Sequence, residues 1–287
     1  MTNYDGDVHP QNSQFREFLD LAETLSLTEL RQAFTKLKAN NPSEIHWLNY
    51  FQGLLKIKED QDVNALVELQ KVYDSVKHRF IEMDRDLYRL AGLALKKIGW
   101  IYRKNKDFEK AYFYHSARYH YMVQYGSSLE IHDAAISVDV DSYYLKDLKL
   151  SEFWLLISRD AALNVQNPIE RARCLGITDN NLASTYSAQK RFKESTDSIF
   201  KSLDSWIEYE SLTGPHENKV VWSYYAVGDI FESWALHRKE INQSYQDEKS
   251  ESGKAFKKAL EIAQQRKMSD SDIISIQDRL NKILDLE

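Results

Sequence analysis

The sequence has little of what builds turns, disulfides or membrane spans. Four prolines and nine glycines in 287 residues leave few turns, so an all-β fold is a poor match. The one cysteine, Cys174, excludes an intramolecular disulfide and fits a reducing compartment. The longest apolar run, Phe153 to Ile157, is too short to cross a bilayer, and the amino terminus lacks the basic and apolar parts of a secretory signal. We therefore expect a cytoplasmic protein that does not insert into a membrane.

The sequence also lacks the signatures of nucleic-acid binding and of common catalytic sites. A net charge of −6 argues against general nucleic-acid binding, which needs a basic face to neutralise phosphates. There is no Gly-x-Ser-x-Gly, no phosphate-binding glycine-rich loop and no His-Glu-x-x-His. We therefore expect no enzymatic activity, no cofactor and no metal. The alternative for a metal is a set of oxygen and nitrogen ligands close in sequence: Glu130, His132, Asp133, Asp139 and Asp141.

Two stretches of the chain share one pattern of small, apolar and aromatic residues. They are Ile98-Gly99-x-x-Tyr102-x5-Phe108-x-x-Ala111 and Leu182-Ala183-x-x-Tyr186-x5-Phe192-x-x-Ser195. A small residue beside a large apolar one, an aromatic three residues on, and a second small residue after a polar gap are typical of two closely packed antiparallel helices. The stretches begin 84 residues apart, which is two steps of 42. The recurrence predicts a stacked array of helix pairs.

The prolines give an independent measure of this period. Three of them follow a capping residue and precede a glutamate by two positions, a pattern that predicts a helix start with proline at its first position. A capping box and an aspartate fall at the intermediate positions. The predicted starts are Asn41-Pro42-x-Glu44, Asp84, Ser127-x-x-Glu130, Asn167-Pro168-x-Glu170 and Gly214-Pro215-x-Glu217.

These signals divide the chain into four segments. Residues 1–13 are expected to be a mobile amino terminus, 14–40 a helix pair opened by Ser26-x-x-Glu29, 41–267 the repeat domain and 268–287 a capping helix. Ile136 to Asp141 alternates like a strand, but we predict a helix from Leu129 to Tyr144, because a lone strand leaves backbone groups unpaired. A long polar segment, Asn242 to Gly253, is expected before the last repeat helix.

The two motifs and the segment Phe256 to Ala263 resemble tetratricopeptide repeats. The period of 42 is similar to the long-helix variants of kinesin light chains and of signalling-peptide receptors of Gram-positive bacteria. The resemblance implies an all-α, right-handed superhelix (an α-solenoid) of about five helical hairpins. It also implies a concave groove lined by the first helix of each pair, and a protein or peptide as partner.

Aligning Gly99, Ala183 and Gly228 with the family's small residue places its groove positions on this chain. An asparagine at the place of Asn181 implies hydrogen bonds to a peptide main chain, since an amide both donates and accepts. The implied groove residues are Lys96, Lys97, Trp100, Arg103, Lys104, Asn180, Asn181, Ser184, Tyr225, Asp229 and Glu232. Each also has a plain interpretation as a solvated residue of an exposed helix.

Three classes of function follow from this sequence. The first is a non-enzymatic adaptor or scaffold that holds an extended peptide, or a helix of a protein partner, in the groove. The second is a regulatory receptor in which a signalling peptide alters what the 14–40 helix pair can bind. The third, a helical enzyme, requires convergent titrating groups that the sequence does not show.

Overall fold

The computed structural model describes residues 13–22, 24–75, 77, 85–215 and 218–286, which form thirteen α-helices and no strands. The chain divides into two compact units, Met1–Lys146 and Asp147–Glu287, here called the first and second unit. Among the described helices, none has both the length and the apolar character that crossing a membrane requires.

The first unit contains seven helices that pack as consecutive antiparallel neighbours. Phe15, Phe18, Phe51 and Leu69 are fully or almost fully buried in its core, which continues to Ile98 and Ile101. The helices are α1 (Ser13–Leu21), α2 (Leu27–Lys36), α3 (Pro42–Lys58), α4 (Asp62–Asp74), α5 (Arg85–Lys104), α6 (Phe108–Tyr125) and α7 (Ser128–Tyr144).

The second unit contains six helices, four of them of 20 to 22 residues, with smaller core clusters. Ile199, Leu203 and Trp206 form one cluster with residues of α11, and Ala259, Ala263 and Ile276 form another. The helices are α8 (Leu148–Leu163), α9 (Pro168–Ala188), α10 (Phe192–Thr213), α11 (Lys219–Glu240), α12 (Gln246–Gln265) and α13 (Asp270–Leu284). The predicted carboxy-terminal helix is α13, which begins after the N-cap Ser269.

Most of the predicted helix starts are correct. Asn41 and Asn167 cap α3 and α9, and Ser26 and Ser127 form capping boxes at α2 and α7. The start at Pro215 is wrong: α11 begins at Lys219, after Asn218 in the left-handed region at φ 52°. Asp84 and Glu217, which carry two of the predicted starts, lie outside the described residues.

Two segments with irregular polarity are helical. The predicted helix over Ile136 to Asp141 is confirmed within α7. The sequence alternates like a strand because Asp139 and Asp141 are buried together with Val138. Charged residues in this segment therefore do not mark the exposed face of the helix. The long polar segment from Asn242 is shorter than expected, since α12 begins at Gln246 and Glu248 in its first turn pairs with Arg238 of α11.

The small residues of the repeats are the points of closest helix contact. A methyl group added at Gly99 would lie 2.4 Å from His115 Nε2, and one added at Gly228 would lie 2.6 Å from Phe256 Cε1. Neither glycine has room for a side chain without movement of its neighbour. The assignment of Gly99 and Gly228 as close-contact residues is confirmed.

The sequence reasoning missed a recurring turn between the helices of a pair. Within the two units, each of these turns contains a non-glycine residue in the left-handed region: Asp60, Lys106, Lys190 and Asn242, with φ between 56° and 61°. The next N–H reaches back across the turn, as from Asp107 to the carbonyl of Tyr102 at 2.9 Å. This hydrogen bond closes the helix end in the manner of a Schellman motif.

Candidate functional site

The predicted groove residues lie on three helices. Lys96, Lys97, Trp100, Arg103 and Lys104 are on α5 of the first unit, Asn180, Asn181 and Ser184 on α9 of the second, and Tyr225, Asp229 and Glu232 on α11 of the second.

Lys96 and Lys97 line a pocket in the first unit with a volume of about 500 Å³. Its walls come from α1, α3, α5, α6 and α7. The polar lining is Asp20, Lys58, Lys96, Lys97, Arg118, Glu130 and Asp133, and the apolar lining includes Tyr50, Leu54, Leu93 and Met122. A concave site with an apolar floor and a few charged groups can hold a peptide segment or a small organic ion.

Trp100 lies one turn further along α5, and 42% of its surface is exposed. Lys104 Nζ lies 5.8 Å from the centroid of its ring and also bonds Asp60 Oδ1 at 2.7 Å in the turn after α3. That hydrogen bond, together with a longer one to Asp62, raises the pKa of Lys104. Lys104 is thus tied to the α3–α4 turn, while Trp100 is presented to solvent.

Arg103 points to α7 and takes part in a buried polar cluster. Its Nε donates to Asp141 Oδ1 at 2.6 Å, and its NH2 donates to the carbonyl of Ser137 at 2.6 Å. His115 Nδ1 lies 2.5 Å from the other oxygen of Asp141, which is fully buried. Burial lowers the pKa of His115 and outweighs the opposing hydrogen bond to Asp141, so the imidazole is held in its neutral form.

The α9 group is only partly exposed. Asn180 and Asn181 are half-buried, and Ser184 is exposed with its hydroxyl donating to the carbonyl of Asn180 at 3.2 Å. The preceding residue, Asp179, is buried and accepts from Arg159 Nε of α8 at 2.8 Å. Burial raises the pKa of Asp179 despite that pairing.

The α11 group is largely covered by α13. Arg279 of α13 contacts the carboxylates of both Asp229 and Glu232, and Lys282 lies 3.0 Å from Glu232. The Tyr225 ring packs edge-on against Phe256 at 5.4 Å. In the structure this group holds the last helix in place.

The sequence reasoning missed Arg118, which forms part of the pocket wall. The buried face of α6 consists of Ala111, His115, Arg118 and Met122. Two of these four residues, His115 and Arg118, therefore have ionisable side chains. Arg118 was missed because the family resemblance places groove residues on the first helix of each pair, and α6 is a second helix. The available signal was an arginine at a core position of an amphipathic helix, where charged residues are rare unless they are paired.

The proposed alternative for a metal has little support in the geometry. Within the described part of the chain, no three His, Cys, Asp or Glu side chains are grouped as metal ligands. Glu130 is bound by Arg89, with NH2 distances of 2.9 and 3.0 Å to its two oxygens. His132 contacts Asp133 at 3.1 Å. The two oxygens of Asp141 contact Arg103 and His115.

Comparison with solved structures finds two proteins to which the chain is similar. It is similar to Rap protein in its complex with Competence and Sporulation Factor, with a TM-score of 0.55 and 13% identity over 94% of this chain and 69% of that chain. It is also similar to the apo form of the quorum sensor NprR from B. thuringiensis, with a TM-score of 0.47 and 14% identity over 95% of this chain and 86% of that chain. No family model and no curated protein matches the sequence.

The similarity to Rap protein concerns the fold. It confirms the prediction of an all-α array of paired helices. At 13% identity the site residues and the ligand of Rap protein do not transfer to this chain. By fold, then, the chain is an array of paired helices similar to that of Rap protein.

Proposed function

We propose that this chain is a non-enzymatic protein that binds an extended peptide at the α5 face of its first unit. The observation that carries the proposal is the arrangement on α5, where Lys96 and Lys97 line the pocket and the exposed Trp100 follows one turn later. A pocket of about 500 Å³ is within the range of ligand sites. An exposed tryptophan beside a polar pocket is the type of anchor that dominates peptide recognition.

The comparisons support the same proposal. Rap protein was solved in complex with Competence and Sporulation Factor, so this fold holds a partner factor in at least one protein. The described residues contain no metal-ligand group, and the ionisable cluster of His115 and Asp141 is buried in the helix core. These observations favour binding over catalysis.

The geometry further favours a regulatory receptor over a passive scaffold. Leu19 and Asp20 of α1, and Ala22 directly after it, line the same pocket as Lys96 and Lys97 of α5. A ligand there would contact the amino-terminal helix pair and the repeats together. Binding that prefers one packing of α1 against α3 and α5 would shift the population toward it, which is how a ligand can change what this helix pair presents to another protein.

We propose that the second unit has a peptide-binding surface of its own on α9. Asn180, Asn181 and Ser184 lie along one stretch of α9, and their amides and hydroxyl suit the peptide main chain. For Asn181→Ala we expect a change in stability within about 0.5 kcal/mol. Binding of a peptide that uses this amide should weaken by about 1–3 kcal/mol.

The proposal is tested by selecting a ligand and removing the aromatic anchor. A displayed library of random nonapeptides is selected on the purified chain, and the best peptide is measured by isothermal titration. Trp100→Ala should lower its affinity by about tenfold or more, as for an interface hot spot. Phe113→Ala is the matched control, because Phe113 is 60% exposed on α6 and does not line the pocket. Failure to enrich any peptide, or equal affinity losses in the two variants, would contradict the proposal.

The receptor form has its own measurement. Amide hydrogen exchange of α1 and α2 is compared with and without the selected peptide. A receptor should show slower amide exchange over Ser13–Leu21 and Leu27–Lys36, because α1 lines the pocket that the ligand would occupy. Unchanged exchange there, with binding intact, would favour the scaffold.

A further inference from the structure

Arg118 is a buried cation with unused hydrogen-bonding capacity at the wall of the pocket. Only 3% of its surface is exposed. Its NH1 makes one long contact, 3.4 Å, to Ser137 Oγ. Among the residues that the structure describes, its Nε has no hydrogen-bond partner and no carboxylate lies within ion-pair distance. Burial lowers the pKa of Arg118 although the charges of Asp133 and Glu130 oppose this effect, so a directly bonded anion would stabilise the guanidinium here.

The acidic residues around the pocket already have other partners. Glu130 accepts from Arg89 and from the N-cap Ser127, and Asp133 accepts from His132. Burial acts to raise the pKa of Asp133, but the hydrogen bond from His132 and the charge of Lys96 lower it overall. Both carboxylates therefore have hydrogen-bond partners other than Arg118.

The pocket as a whole carries an excess of positive charge. Its lining contains four basic residues, Lys58, Lys96, Lys97 and Arg118, against three carboxylates. One of these carboxylates, on Glu130, is paired with Arg89, which does not belong to the lining. In a partly enclosed site this excess attracts an anion more strongly than the same charges do on an open surface.

We propose that the pocket binds the carboxylate of a peptide's last residue, with Arg118 as its anchor. This inference rests on the proposed peptide-binding function and names the end of the peptide that enters first. A guanidinium matches the planar carboxylate with directional hydrogen bonds, and Lys96 and Lys97 add charge at the pocket.

The apolar part of the lining fits the side chain that such a residue would carry. Leu54, Leu93 and Met122 line the pocket beside Tyr50, so an apolar final side chain would be removed from water there. The rest of the peptide would leave the pocket along α5, where Trp100 is exposed. The ligand class is therefore a peptide with a free carboxyl terminus and an apolar last residue.

A structural role for Arg118 predicts different behaviour. In that case the guanidinium would serve only to fill the core of α6. Replacing it by methionine, which has a similar length and no charge, would then leave ligand preference unchanged.

The test compares two libraries of random pentapeptides that differ only at their last group. One library has free carboxyl termini and the other has carboxamides, and retention of each by the full chain is measured by equilibrium dialysis and mass spectrometry. We expect the free acids to be retained about tenfold better, the usual scale of a charge-assisted pair, with apolar last residues enriched. Arg118→Met should abolish this preference, and Arg118→Lys should keep part of it.

The controls keep the result decisive. Lys71→Met removes an equal charge from α4, outside the pocket lining, and should leave the preference intact. If Arg118→Met fails to fold, Lys96→Met at the half-buried pocket rim should reduce the preference in its place. Binding of both libraries without preference would overturn the carboxylate site and leave peptide binding standing. Retention of neither library would overturn both, and a preference that survives in Arg118→Met would place the anchor elsewhere.

Discussion

The helix pairs α5–α6 and α9–α10 begin from the same motif and bury different chemistry. In α9–α10 the Ser195 hydroxyl donates to the carbonyl of Ala183 at 2.7 Å, and the core position four residues later is Ile199. In α5–α6 the equivalent small residue is Ala111, and the position four residues later is His115. The apolar core residue of one pair is an ionisable base in the other.

The difference shows what a repeat motif determines and what it leaves open. Small residues set the distance between the two helices, and both pairs obey that rule. The large residue that fills the contact is free to vary. In the second unit two buried serines bond the facing helix of their own pair, as Ser202 and Ser252 donate to the carbonyls of Gly176 and Gly228. In the first unit His115 reaches Asp141 of α7, and Arg118 on the same face borders the pocket.

The largest expected effect contrasts two buried aspartates. Asp141 accepts from both Arg103 and His115, so Asp141→Ala leaves a partly buried guanidinium unpaired and should destabilise by about 3 kcal/mol. Asp179→Ala in the second unit should cost about 1 kcal/mol, because Arg159 is more exposed and can return to water. Urea unfolding followed by circular dichroism measures both. Equal losses would remove the distinction between the two pairs.

The next effect tests the contact that the two pairs share. Gly99→Ala should destabilise by about 1–3 kcal/mol, since the new methyl group would overlap the His115 ring. Gly253→Ala is the matched control, also within a helix, with no neighbouring atom within 4 Å of the added carbon. It should stabilise by about 1 kcal/mol through helix propensity. A thermal melt in which both variants gain stability would show that Gly99 is not a close-contact residue.

A smaller effect concerns the titration of His115. Its pKa is lowered in the folded protein, so the unfolded chain binds the proton more tightly, and stability should fall as the pH drops below about 6.5. His115→Gln keeps a donor for Asp141 and does not titrate, so its melting temperature should depend less on pH in this range. His120→Gln, at an exposed position of the same helix, should behave like the unmodified chain. A steeper pH dependence in His115→Gln would reverse the assigned direction of the shift.

The sequence predicts the helices better than it predicts the site, for a physical reason. Helix starts depend on local capping, so Asn41, Ser127 and Asn167 are readable from a few neighbouring residues. Pro215 lies in a similar local pattern, but no helix begins there. The next helix, α11, begins only at Lys219. Local signals place an element but do not exclude a longer turn.

The site depends on which helix faces meet, and that information is not local. Lys96 and Lys97 were predicted as groove residues, and the structure brings both to one pocket. Arg103 and Lys104 follow on the same helix, yet their cationic groups lie toward α7 and the α3–α4 turn. Sequence spacing predicts which face of α5 these residues occupy. It does not predict which carboxylates of neighbouring segments they will bind. The groove assignments on α9 and α11 remain predictions.

The smallest expected effect concerns the turn that both pairs share. Lys106 and Lys190 both adopt φ 61°, a left-handed conformation that costs an L-residue energy and glycine almost none. Lys106→Gly should therefore stabilise by about 0.5 kcal/mol, the gain in the folded turn exceeding the added freedom of the unfolded chain. Lys190→Gly should gain the same amount, because its turn makes the same N–H to carbonyl closure, from Arg191 to Tyr186. Lys110→Gly, in the first turn of α6, should instead lose up to about 1 kcal/mol through helix propensity and the lost ion pair with Asp107. Chemical denaturation resolves these signs, and a loss of stability in Lys106→Gly with a gain in Lys190→Gly would mean that the two pairs differ in their turns as well as in their buried chemistry.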